Sequence, residues 1–342
     1  MKANYSMINF SNYTNKSIKK IAINFFSKIN KGSLTVTFPD NTTKSFKGFG
    51  QGYKAQIKLN NYKLFFKLFH KGSIGFAESY MNGDFESTNL LNLLLFSYDN
   101  QNNFLNNKNV KGLFHFYFKF RHYLNENTKS KSKKNISFHY DLGNNFYKLW
   151  LDSSMTYSSA IFSNRNIELY DAQINKYEQI AKPLKLNENS QVLEIGCGWG
   201  GFASYAAKNF GSNVTAITIS KEQYEFATKR IFKEGLNDKV CIEMKDYRDV
   251  KEKYNNIVSI EMFEAVGKKY WDIFLDIIKQ SLHNEGLASL QIITIDDAKA
   301  KFYQSNPDFI QKYIFPGGIL PSKNQLKKIN IQLGLSFNEI AS

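Results

Sequence analysis

The run Val192-Leu193-Glu194-Ile195-Gly196-Cys197-Gly198-Trp199-Gly200-Gly201 offers the clearest chemistry in this 342-residue sequence. A short apolar stretch carries one acid and opens into closely spaced glycines, as a strand does when it turns tightly into a helix. With no Cβ atoms in the turn, backbone N–H groups and the positive end of the helix dipole can approach a nucleotide closely. Two cofactors compete for such a loop. Gly196, Gly198 and Gly201 satisfy the dinucleotide fingerprint, but that reading requires an acid about 20 residues further on to bind the ribose hydroxyls. The second strand ends instead in Thr218-Ile219-Ser220, without an acid. Glu194, at the end of the first strand, matches the pattern of an S-adenosylmethionine (SAM) enzyme.

Such a loop needs a sheet to hold it. From Gln191 onward strand-like and helix-like runs alternate, with strands at 192–195, 214–219, 240–244, 257–260 and 287–295 and helices centred on Tyr205, Ala227, Phe274 and Ile329. That alternation predicts a parallel sheet covered on both faces. The first part of the chain reads differently. Alternating Leu34-Thr35-Val36-Thr37-Phe38, a turn at Pro39-Asp40-Asn41, alternating Ala55-Gln56-Ile57-Lys58-Leu59 and the apolar run 64–69 predict short strands. A glycine-punctuated stretch at 72–84 and a packed helix at 90–96 follow. The expected fold class is α/β, a Rossmann-like sheet preceded by a smaller mixed α+β domain. The domains expected are 1–124, a basic linker at 125–137, and the cofactor-binding domain at 138–342.

A chain of 342 residues accommodates two domains of ordinary size. Its 45 Lys and Arg against 30 Asp and Glu leave a formal net charge of +15, which suits a polyanionic partner; nucleic acid and an anionic membrane surface meet that equally. Within 108–134, Lys108, Lys111, Lys119, Arg121, Lys129, Lys131, Lys133 and Lys134 face the single acid Glu126, and 114–121 interleaves rings with cations. Such a segment can rest at a bilayer interface, each cation near lipid phosphate adding ~1 kcal/mol. A core helix followed by a solvated linker has the same composition. No apolar run reaches the ~18 residues of a membrane-spanning helix. Residues 1–30 lack a signal peptide's charged start and unbroken apolar stretch. A cytoplasmic protein, held peripherally at the inner face of the membrane, is expected. Cys197 and Cys241 are too few for a disulfide framework or a cysteine-based metal site, so no metal is expected and both thiols read as reduced and structural.

Separate motifs across 139–322 resemble the cyclopropane fatty acid synthase and mycolic acid methyltransferase family. They are His139-Tyr140-Asp141-Leu142-Gly143-Asn144-Asn145-Phe146-Tyr147, Trp150-Leu151-Asp152, Met155-Thr156-Tyr157-Ser158-Ser159-Ala160-Ile161-Phe162, Thr218-Ile219-Ser220-Lys221-Glu222-Gln223, Met262-Phe263-Glu264 and Tyr313-Ile314-Phe315-Pro316-Gly317-Gly318. The N-terminal domain also resembles the longer bacterial members. The resemblance implies a class I SAM-dependent methyltransferase. By it, Tyr157 and Ser158 close over the cofactor, Gly196, Gly198 and Gly200 line it beside Glu194, Thr218, Ser220 and Gln223 hold its ribose, and Tyr247 and Arg248 flank its adenine. A hydroxyl and an amide can bond the ribose hydroxyls that an acid would otherwise take.

The substrate so implied is an unsaturated acyl chain of membrane phospholipid. Its alkene is a weak nucleophile, so the sulfonium methyl must be held in line with the double bond and away from water. The resulting carbocation can be stabilised by aromatic faces and must lose a proton to a base. In the family that base looks to be a bound bicarbonate, which the resemblance sets against Glu264, the Ser159 backbone and Ile293. Two features depart from the pattern. Gln291 stands where the family usually carries His, and an amide cannot become cationic, so its hold on an anion is weaker. Some relatives that add methyl or methylene branches to oleoyl-type chains resemble this Gln pattern. The stretch 335–342 reads as the start of a strand that the family continues, so the C-terminal end is expected to be incomplete, with a sheet edge exposed. The product stands open between a cyclopropane and a methyl or methylene branch. Rival readings are a truncated relative that binds cofactor and lipid without turnover, and a methyltransferase for RNA or a small molecule. The partners expected are acyl chains, an anionic phospholipid surface and a second copy in a homodimer, with no nucleic acid.

Overall fold

The computed structural model describes residues 10–101, 103 and 143–339, and the chain divides into two compact units, Met1–Phe118 and Lys119–Ser342. The basic and aromatic segment 108–134, the linker 125–137 and the motif start at 139–142 lie outside the described residues.

In the first unit helix α1 (Phe10–Phe26) precedes strands β1 (Lys31–Thr37), β2 (Thr43–Lys47) and β3 (Gly50–Leu59), followed by helix α2 (Lys63–Met81), strand β4 (Phe85–Glu86) and helix α3 (Leu90–Asp99). The strands lie in the order β2-β1-β3-β4, with β1 antiparallel to β2 and parallel to β3. Leu34, Val36, Ala55, Ile57 and Leu59 point into a core shared with Phe26, Phe65, Leu93 and Phe96. Their spacing of two is what made these strands readable. The run 64–69 is helical rather than a strand. Leu64 and Phe65 are buried side by side while Phe66 is 63% exposed, and a short apolar run carries no period that separates strand from helix.

The second unit runs α4 (Asn144–Tyr147), α5 (Leu169–Ala181), β5 (Gln191–Ile195), α6 (Gly201–Phe210), β6 (Asn213–Thr218), α7 (Lys221–Lys233), β7 (Val240–Met244), β8 (Tyr254–Ile260), α8 (Phe263–Val266), α9 (Trp271–Ser281), β9 (Leu282–Gln291), α10 (Asp297–Ser305) and α11 (Lys323–Gln332). Its strands are parallel in the order β7-β6-β5-β8-β9. Val192, Val214 and Val258 pack on one face with Tyr177, Phe202 and Ile231. Leu193, Ile195, Ile217 and Ile257 pack on the other with Phe274, Ile278 and Ile329. The chain leaves β5 for β6 on one side and places β8 on the other. The strand order therefore reverses beside β5, which opens a crevice at the carboxyl ends of the strands.

Two boundaries differ from expectation. The last strand ends at Gln291 instead of 295, because the N–H of Ile293 leaves the ladder for the carboxylate of Glu264, and Ile295 makes only an isolated bridge to Ser322. Residues 335–339 form no strand. The Leu335 N–H closes α11 on the Asn330 carbonyl at 2.8 Å, and the segment joins neither sheet. Among the described residues no helix is long and apolar enough to cross a membrane. Both cysteines are free; Cys197 is buried and Cys241 is exposed on β7.

Candidate active site

A cavity of about 470 Å³ occupies the crevice. The glycine loop forms part of its wall. The N–H groups of Gly196 and Cys197 both donate to the Ile217 carbonyl at 3.0 Å, which ties the loop to β6. Gly196 has φ of 82°, and a Cβ there would lie 2.8 Å from Met262 Cγ, so the position requires glycine. A Cβ on Gly198 would meet nothing within 4 Å, leaving open space beside the backbone. Gly200 does not line the cavity; it caps α6 and abuts Ala227.

Glu194 sits at the end of β5 with its Oε2 buried and unpartnered. Burial pushes its carboxyl up, against an Ala203 N–H and the charge of Lys176. A buried acceptor without a donor is costly, so a ligand hydroxyl reaching this oxygen would gain a hydrogen bond that the protein leaves open. This orphaned oxygen beside open backbone is the feature that fits a nucleoside cofactor. Thr218 Oγ1 donates to Gln223 Oε1 at 2.8 Å, and both line the cavity. With its oxygen engaged, the Gln223 amide keeps its nitrogen as donor. Ser220 does not reach the cavity; its hydroxyl accepts from the Gln223 N–H and caps α7. Tyr247 and Arg248 do line it. Tyr247 packs edge-on against Phe274 at 5.1 Å, and the Arg248 guanidinium is held by both oxygens of Asp246, at 2.8 and 2.6 Å.

Tyr157 and Ser158 line the cavity on a loop fixed by α5. Ser158 Oγ accepts from Lys176 Nζ at 2.6 Å, and its carbonyl accepts from Gln173 Nε2 at 2.9 Å. The Tyr157 ring meets Trp150 edge-on at 5.1 Å and stacks on Phe315 at 6.3 Å. Lys176 did not emerge from the sequence reading, although it is only 1% exposed. Burial lowers its ammonium, while Glu261, Asp152 and Glu194 oppose that shift. A signal existed: Ala172, Lys176 and Ile180 share one helical stripe, so a lysine falls on the buried face of α5. Arg230 was also missed. Its Nη1 donates to the Ser154 carbonyl at 2.7 Å and to the Trp199 carbonyl at 3.0 Å, joining the Tyr157 loop to the glycine loop.

Glu264 and Glu261 line the cavity as well. Glu264 Oε1 accepts the Ile293 N–H, and its Oε2 is buried without a partner. Burial raises the Glu264 carboxyl to about 7, opposed by its backbone hydrogen bonds and reinforced by the charge of Glu261. Glu261, absent from the expected site, lines the cavity with φ of 50°. Its Oε1 accepts from the Ser159 N–H, the Ser159 hydroxyl and Gln291 Nε2, each at 2.8 Å. Ser159 and Gln291 do not line the cavity themselves; Gln291 Nε2 also lies 2.7 Å from Ser159 Oγ. The donors of Ser159, Gln291 and Ile293, which the resemblance assigns to bicarbonate, are thus bonded to two side chains, and the residues present do not fit a further anion there. An apolar stretch of the wall is formed by Ile260, Val266, Phe315, Ile319 and Leu320 beside a π-helical turn at Ile310–Ile314, while Lys245, Asp308 and Gln311 add polar groups.

Comparison with known proteins agrees with this geometry. The pattern of the mycolic acid cyclopropane synthetase family matches residues 127–342, and that of a domain of unknown function matches residues 21–109. Tuberculostearic acid methyltransferase of Mycobacterium tuberculosis is 35% identical over 282 residues, covering 79% of this chain and 65% of that protein. The cyclopropane-fatty-acyl-phospholipid synthase of Escherichia coli K12 is 36% identical over 280 residues, covering 80% and 68%. The chain therefore spans about two thirds of the length of these curated relatives. The crystal structure of a mycolic acid cyclopropane synthase complexed with SAH and CTAB matches with a TM-score of 0.57 at 29% identity, over 60% of this chain and 76% of that one. The expected α/β class I methyltransferase sheet is borne out. On sequence and fold together, the chain belongs to the mycolic acid cyclopropane synthetase family.

Proposed function

We propose that this chain is a SAM-dependent methyltransferase acting on the double bond of an unsaturated acyl chain in membrane phospholipid, with a cyclopropane or a methyl or methylene branch as product. The reading is carried by one cavity that holds both the glycine loop with its orphaned Glu194 oxygen and an apolar wall containing two carboxylates. Bound SAM supplies an electrophilic methyl, which an alkene carbon takes with its π pair as the S–C bond breaks, leaving a carbocation on the acyl chain. The protein's share is placement and protection. Gly196 and Gly198 admit the cofactor, and Glu194 and Gln223 offer an acceptor and a donor to its hydroxyls. The rings of Tyr157 and Phe315 present faces to the cation. Ile260, Ile319 and Leu320 exclude water that would otherwise capture it. Recruitment to anionic phospholipid through the basic segment 108–134 belongs to the same reading and is supported by the net charge of +15.

The test is incubation of the purified chain with isotopically labelled SAM and vesicles of mixed phospholipid, followed by fatty-acid analysis. Label is expected in unsaturated chains that have gained one carbon, and none in fully saturated vesicles. Absence of label from every unsaturated chain would defeat the proposal.

A further inference from the structure

We infer that Glu261 is the base of this site, its tethered carboxylate standing in place of a recruited bicarbonate; the inference rests on the acyl-methyltransferase reading above. Three donors from two separate segments, the loop at Ser159 and the end of β9 at Gln291, converge on one oxygen of Glu261. Such convergence is an anion site, and here the anion is part of the chain. The backbone at Glu261 is held at φ of 50°, in the left-handed region that costs a residue with a Cβ roughly 1 kcal/mol or more. That conformation persists where its surroundings over-determine it. The Glu261 N–H is itself anchored to the Gln291 carbonyl at 2.9 Å.

A bicarbonate would enter a cluster that already holds Glu261 and Glu264. A further anion would be repelled by the carboxylate already there, with no donor of Ser159, Gln291 or Ile293 left to offset it. Gln291 then makes sense as a neutral residue. A covalently attached carboxylate needs an orienting amide, not a cation to draw it from solution. Glu261 lines the cavity, and among the described residues its Oε2 takes no hydrogen bond, which leaves that oxygen available as the base. In the step, an Oε2 lone pair takes a proton from the newly attached methyl. The C–H pair closes onto the adjacent cationic carbon as a three-membered ring; alternatively, once a 1,2-hydride shift has moved the cation onto the methyl-bearing carbon, the same pair forms a C=C bond and gives a methylene branch. Glu261 is left as the neutral acid and returns its proton to solvent after product leaves.

Glu261→Gly is the decisive variant, because glycine removes the carboxylate, tolerates the positive φ and leaves the Ser159 and Gln291 donors facing an emptied position. Wild-type turnover is expected to be the same in carbon-dioxide-depleted buffer and with added bicarbonate. Glu261→Gly should lose ~10²–10⁴-fold in depleted buffer and recover in large part on addition of bicarbonate. Titration of ¹³C-bicarbonate into the S-adenosylhomocysteine-loaded proteins, followed by NMR, should show binding to the variant and none to wild type. Wild-type dependence on bicarbonate, full variant turnover in depleted buffer, or equal bicarbonate binding by both proteins would each overturn the inference. If wild type methylates no acyl chain, the proposed function falls, and the bicarbonate titration still decides whether Glu261 fills the anion site.

Discussion

Replacing Glu264 with Gln should give a variant that gains stability on wild type as pH rises while losing turnover at every pH. Burial holds the Glu264 carboxyl up at about 7, against an ordinary value of 4.5. Between these values the unfolded chain releases this proton while the folded chain keeps it, so each unit of rising pH costs the fold about 1.4 kcal/mol. Above 7 the acid is ionised in both states and the loss is complete, at roughly 3 kcal/mol. Gln does not titrate. Its carbonyl can accept the same Ile293 N–H, while its NH₂ occupies the buried Oε2 position that has no partner, a pH-independent penalty of about 1–3 kcal/mol. Whatever that offset, the variant should gain about 2.5 kcal/mol on wild type between pH 5 and pH 8, since the titrations of Glu194 and Lys176 are common to both and cancel. Trp150, Trp199 and Trp271 all belong to the second unit, so tryptophan fluorescence during thermal unfolding reports on that unit alone. At about 2–4 °C per kcal/mol for a unit of this size, the gap in Tm should change by roughly 5–10 °C. Turnover on unsaturated phospholipid should fall about tenfold at every pH, less than the loss expected at the base itself, because Glu264 holds the Ile293 N–H and its charge acts on Glu261 from beside it. Parallel Tm profiles for the two proteins would refute the burial argument, and unchanged turnover would remove Glu264 from the site.

Gly198→Val should abolish S-adenosylhomocysteine binding in calorimetry by filling the open space beside the loop, and NAD should bind to neither protein; tight NAD binding would overturn the cofactor assignment. Lys176→Met removes the positive charge that holds Glu194 down, so SAM affinity should fall by of order tenfold at neutral pH and recover as pH rises; calorimetry across pH showing a uniform loss would rule this coupling out. Vesicle sedimentation should show binding that requires anionic lipid, weakens with salt and drops on charge reversal of Lys131, Lys133 and Lys134. Equal binding to neutral vesicles would make that basic run a solvated linker.

The strands and the cofactor loop were legible because their cause is local. Alternation at 34–38 and 55–59 records one buried face, and the Gly196 and Gly198 spacing records a turn that Cβ atoms would obstruct. The run 64–69 was misread because five apolar residues around Lys67 are too few to separate the two periods. Glu261 was illegible for another reason. Its partner Ser159 is 102 positions away and Gln291 is 30 positions away, so nothing near it in sequence marks it. Gln291 read as a weakened histidine until the acid it orients was in view. Glu264 was reached through its Met262-Phe263 context, but its shifted acidity comes from burial, which no motif encodes.

Arg230 spans two walls of the cavity with one planar group, holding the Ser154 and Trp199 carbonyls on adjacent donor bonds. Loops joined in this way move as a single body, so the Tyr157 segment does not need to fold down after the cofactor arrives. Cofactor capture then resembles entry into a finished socket. A frame already joined by Arg230 loses little ordering entropy when the cofactor docks. Residence time, set by how readily the spent nucleoside escapes that rigid frame, becomes the quantity that limits how often the site can be reused.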